Sequence, residues 1–122
     1  MKYLYPLFLL IAYATAGHAA DKNGQYAIWG LGAESCHKYN LAREADDVDD
    51  YKNYIMGFFT AYNIITPETY RISGDMDLDA VLGWFDDECG LKPIISFEEA
   101  LTNYLVENYD KRLDKAPTSF RR

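Results

Sequence analysis

The sequence predicts an all-α protein, a compact four-helix domain with one interhelical disulfide. Three observations carry this expectation. Apolar residues recur at steps of three and four through most of the chain after residue 33, the period of a helix with one buried face. Strand-like alternation is hard to find. The two cysteines, Cys36 and Cys89, fall inside predicted helices and follow what reads as a secretion signal.

The first element is that signal, residues 1–19. Lys2 gives it a positive start, an apolar run extends from Leu7 to Ala14, and Gly17 and Ala19 occupy the −3 and −1 positions of an Ala-x-Ala-like cleavage site. The apolar run falls short of the roughly 20 residues that a membrane-spanning helix needs. No second apolar run follows it, and no Cys that would take a lipid anchor. The mature chain is therefore expected to begin near Ala20 and to be exported to a bacterial periplasm. A single domain over 20–110 follows, with a basic C-terminal tail, 111–122, expected to be a solvated and flexible terminus.

The first helix is expected over 33–44, with Cys36, Tyr39 and Leu41 inward. The run Asp46, Asp47, Asp49, Asp50 suits the start of the second, because carboxylates cap free N–H groups and favour the positive end of the helix dipole. Tyr51, Tyr54, Ile55, Phe58, Phe59, Tyr62 and Ile65 then form the clearest stripe in the chain. Pro67 ends it. Residues 66–75 are the longest connection. Asp77 is placed to cap a third helix carrying Leu78, Val81, Leu82, Phe85 and Cys89 on one face, with Gly90 and Pro93 as its stop. Ser96 and Glu99 spell a capping box before a fourth helix whose core side is Phe97, Ala100, Leu101, Tyr104, Leu105 and Tyr109.

In an exported chain of this size two cysteines usually pair, so Cys36 and Cys89 are expected to form an intramolecular disulfide. A reactive thiol or an intermolecular bridge are the competing readings, and no Cys-x-x-Cys redox spacing supports the first. Asp75, Asp77 and Asp79 imitate a calcium loop, but Ala80 stands where the loop needs Gly and Asp86 where it usually has Glu. His37 has no further soft ligands around it for zinc. No nucleophile elbow or Gly-rich phosphate cradle is present, and adjacent acids such as Asp86 and Asp87 read as a solvated face. Neither enzyme activity, nor metal, nor cofactor is expected.

The whole chain carries −7. That sign argues against nucleic acid and anionic membranes as partners. Amphipathic rings favour interfaces, so Tyr51, Tyr54, Phe58, Tyr62 and Tyr70 are the candidate binding surface, with Tyr26, Trp29 and Tyr39 as further candidates for a groove. The expected partner is a protein.

Cys36 in a first helix, Gly57-Phe58 in the second, Cys89 at the end of the third and an amphipathic fourth helix together resemble the HdeA/HdeB-type small periplasmic proteins. The resemblance covers roughly residues 29–109. It implies an all-helical fold, the disulfide between Cys36 and Cys89, an acid-activated chaperone function with client polypeptides as partners, and a homodimer at neutral pH. The chain departs from the family in the distance between Trp29 and Cys36 and in the length of the 66–75 connection. Tyr54-Ile55-Met56-Gly57-Phe58, with the helix after Cys89, is also similar to the periplasmic immunity proteins that neutralise type VI secretion amidases. Those proteins typically carry a Cys in the second helix and two disulfides, neither of which is found here. This second likeness implies a specific secreted enzyme as the partner.

Overall fold

The structure, a computed structural model, describes residues 20–118; the predicted signal and the last four residues, with Arg121 and Arg122, lie outside that range. Four α-helices make up the body: α1 Cys36–Glu44, α2 Asp49–Ile65, α3 Leu78–Leu91 and α4 Phe97–Asn108. Short 3-10 turns, Gly30–Ala33 and Tyr109–Lys111, precede α1 and follow α4. Among the described residues there is no strand, only two isolated bridges, Ser35 with Ser96 and Arg71 with Leu113.

α1 starts three residues later than the apolar pattern suggests. Residues 34 and 35 are extended because they pair with the start of α4, where the Phe97 N–H donates to the Glu34 carbonyl at 2.7 Å. Ser35 then caps α1 by accepting from the Lys38 N–H. α2 also departs from expectation at its start, since its N-cap is Val48 and makes no side-chain cap bond. Asp49 and Asp50 sit in the first turn instead, where they act on the dipole rather than as caps. α3 is capped as expected, Asp77 accepting from the Ala80 N–H at 2.8 Å, and α4 shows the Ser96 half of the expected capping box, Ser96 accepting from the Glu99 N–H at 3.1 Å without a return bond from the Glu99 side chain among the described residues. Gly90 does not end α3. The helix runs on through Leu91, and Lys92 is its C-cap.

The core is aromatic. Tyr39, Tyr51, Phe59, Phe85, Phe97 and Tyr104 are all buried. The Tyr39 ring stacks on Phe97 at 5.3 Å, and Tyr51 meets both edge-on. Phe85 stacks on Tyr104 at 5.6 Å while Trp84 and Phe59 close on it from two sides. Edge-to-face and offset contacts of this kind add to the burial of the rings.

Cys36 and Cys89 form a disulfide, both fully buried, with Cα atoms 4.9 Å apart. It joins the start of α1 to the end of α3 and encloses α2 in a 53-residue span. Polar bonds reinforce the same seam. The Arg43 guanidinium grips the Asp86 carboxylate through two bonds of 2.8 Å, the Tyr39 hydroxyl donates to Asp86 Oδ1 at 2.9 Å, and Asn40 Nδ2 donates to the Cys89 carbonyl. α3 and α4 are tied by Asn103 Nδ2 donating to Glu88 Oε1 at 3.0 Å.

The 66–75 connection is held at several points. Asn63 Oδ1 accepts from the Ile72 N–H, and Ile72 is buried. Arg112 Nε donates to the Glu68 carbonyl and to Thr69 Oγ1, and Leu113 pairs with Arg71 through two backbone bonds. The ordered pairing of the chain thus extends to Leu113, into the basic segment.

Candidate functional site

The five aromatic candidates do not form one surface. Tyr51 is 6% exposed and belongs to the core. Tyr54, Phe58 and Tyr62 are half-buried and follow one another at four-residue steps along one flank of α2; side chains at that spacing share a helix face. Tyr54 donates its hydroxyl to the Trp29 carbonyl, which fixes the lead segment against α2. Tyr70 stands apart on the 66–75 connection, 44% exposed, with the Arg71 guanidinium 5.7 Å from its ring. Of the further candidates, Tyr39 is fully buried, whereas Tyr26 and Trp29 are exposed.

The α2 flank ends in a surface groove of about 460 Å³, lined by Tyr62, Thr102, Leu105, Val106 and Tyr109. Its lining is almost wholly apolar. Val106 and, one turn beyond Tyr62, Ile65 are each 76% exposed. The Arg112 guanidinium lies 3.8 Å over the Tyr109 ring, a close cation–π contact at the end of the groove. A contiguous apolar groove left open to water is a candidate contact surface.

The α4 wall of this groove was not legible as a site in the sequence. Thr102 and Val106, with Tyr109 just past the helix end, form a second stripe on nearly the opposite side of α4 from the core stripe through Phe97, Ala100, Leu101 and Tyr104. Leu105 lies between the two and was expected inward. Tyr109 was expected inward as well, but α4 stops at Asn108 and the following turn carries Tyr109 outward.

A second hollow, of about 300 Å³, is lined by Ser73, Asp75, Met76, Asn108 and Lys111. Among the described residues no group of three or more His, Cys, Asp or Glu is placed to hold a metal ion. Asp77 of the calcium-like triad is engaged as the cap of α3. No described helix is long and apolar enough to cross a membrane.

Two carboxylates stand out electrostatically. The Arg43 guanidinium, helped by the Tyr39 hydroxyl, holds Asp86 below the ordinary aspartate range. Lys92 and Asn103 likewise lower Glu88. Both belong to the seams between helices.

Fold and groove together define a class, a small disulfide-stapled helical protein with an apolar groove on its surface. Comparison with protein-family models, curated proteins and solved structures finds no match.

Proposed function

We propose that the chain is an exported, non-catalytic binding protein of the HdeA-like kind, which protects client polypeptides in an acidified periplasm. One observation carries the reading: the ion pair between α1 and α3 and the side-chain bond from α4 to α3 are made by the carboxylates of Asp86 and Glu88, while α1 and α3 are also joined by the Asn40–Cys89 bond and by a covalent bond, which acid leaves intact. Protonation below about pH 4 removes the first kind of tie and not the second. The aromatic side chains that α2 and α4 contribute to the core then become available to clients, and the staple keeps the chain from full expansion. Light scattering from an aggregating client at pH 2–3 is the test, and an absence of suppression at stoichiometric protein removes the reading.

A second reading, an immunity protein against a secreted cell-wall amidase, draws on the fixed 66–75 connection, which holds Tyr70 outward at neutral pH. It requires a complex of nanomolar strength at pH 7 with an amidase encoded beside it. A Tyr70→Ala variant binding such an enzyme as well as the parent does would remove this loop from the interface.

A further inference from the structure

The groove has a charge pattern as well as an apolar floor. On its α2 side, residues 54–66 contain no charged residue. On its α4 side, Glu98 stands one turn before Thr102 and accepts a bond from it at 2.8 Å, while the Tyr26 hydroxyl donates to the same oxygen at 3.1 Å. Glu99 follows on the outer rim. At the other end the Arg112 guanidinium lies over the Tyr109 ring, with Asp110 and Lys111 beside it in the chain. The groove is thus flanked by carboxylates at one end and by a guanidinium at the other. From Thr102 to Tyr109 its α4 wall spans about 10 Å, or roughly two turns of helix, and Glu98 stands one turn beyond it.

We propose that the groove between α2 and α4 takes a short amphipathic helix of another protein, apolar on one face and carrying Lys or Arg at the end that lies over Glu98 and Glu99. Tyr62 on one side and Thr102, Leu105, Val106 and Tyr109 on the other form an apolar seat that fits the apolar face of a third helix. The acidic rim selects the sign of the end, and the net charge of −7 favours encounter with a cation. An acidic helix meets like charge at that rim. The inference rests on the groove having a binding role but not on acid activation, since it concerns a complex formed at neutral pH.

The probe is a labelled 14-residue Leu-faced helical peptide with two Lys at one end, compared with the same peptide carrying two Glu there, titrated at pH 7 and low salt against the disulfide-bonded protein. The Lys-ended peptide is expected to bind about fivefold more tightly, as two exposed ion pairs imply. Val106→Asp, at a site too exposed to endanger folding, is expected to weaken it about tenfold or more. The double variant Glu98→Gln with Glu99→Gln is expected to bind both peptides alike. Equal binding of the two peptides by the parent, or indifference to Val106→Asp, overturns the proposal. So does a concentration-dependent dimer that Val106→Asp dissolves, because the groove then belongs to a second copy of the chain. Failure here leaves the acid assay untouched, and failure of client protection in acid leaves this titration standing.

Discussion

Tyr39 and Tyr104 are both fully buried tyrosines at the centre of the core, and their hydroxyls have opposite fates. The Tyr39 hydroxyl donates to Asp86 and lies 3.1 Å from the Leu82 carbonyl. The Tyr104 hydroxyl is buried without a partner among the described residues, and burial raises its pKa to about 12. A buried hydroxyl with no partner costs about 1–3 kcal/mol, whereas a made bond contributes about 1 kcal/mol. Tyr104→Phe is therefore expected to stabilise the protein by about 1 kcal/mol, and Tyr39→Phe to destabilise it by a similar amount. Urea unfolding of the two variants beside the parent checks both signs, and a loss of stability in Tyr104→Phe would show that the hydroxyl has found a partner. The apolar spacing marks both residues as inward. It does not distinguish them, because the difference lies in what α3 happens to present to each ring.

At the scale of elements, the helices themselves were legible and their ends only partly so. Where a side chain does the capping, as Asp77 and Ser96 do, the start could be read from the sequence. Where the end is set by another part of the chain it could not: the start of α1 is fixed by backbone pairing with the start of α4, and Gly90 stays helical with Lys92 closing the turn behind it. The same holds for the groove, since its two walls are separately ordinary stripes and become a site only when α2 and α4 lie side by side. Long-range pairing also makes the disulfide matter more than its local contacts. Closing a 53-residue loop restricts the unfolded chain enough to stabilise by about 4 kcal/mol in the chain-entropy model. Reduction, or Cys36→Ser, is expected to lower the melting temperature by well over 10 °C. A variant that melts with the parent would show that the Arg43–Asp86 and Asn40–Cys89 bonds already hold α1 on α3 unaided.

For the molecule as a whole, pH acts through two routes that can be separated. Asp86 and Glu88 have folded-state pKa values below those of free carboxylates. Such groups contribute stability that is complete above about pH 5.5, where they are charged in both folded and unfolded chains. That stability is lost as pH falls through their folded values. General repulsion works in the same direction, since protonating all 19 Asp and Glu leaves 12 Lys and Arg and 2 His charged. The first route depends on particular bonds and the second on total charge. Asp86→Asn discriminates between them, because it removes the grip on Arg43 at every pH while changing the total by a single charge. The variant is expected to be less stable than the parent at pH 7 and to lose less additional stability between pH 5 and pH 2. Near-UV circular dichroism, which reports the packed aromatic core, is the measurement, with far-UV signal followed in parallel. If the parent keeps its near-UV signal to pH 2, the carboxylate ties do not govern opening of the core. If the parent and Asp86→Asn lose stability by equal amounts over this range, total charge governs it and the Arg43–Asp86 pair is a neutral-pH strut. A shallower loss in the variant, with helical signal retained while the disulfide is intact, would locate the acid response at the α1–α3 seam.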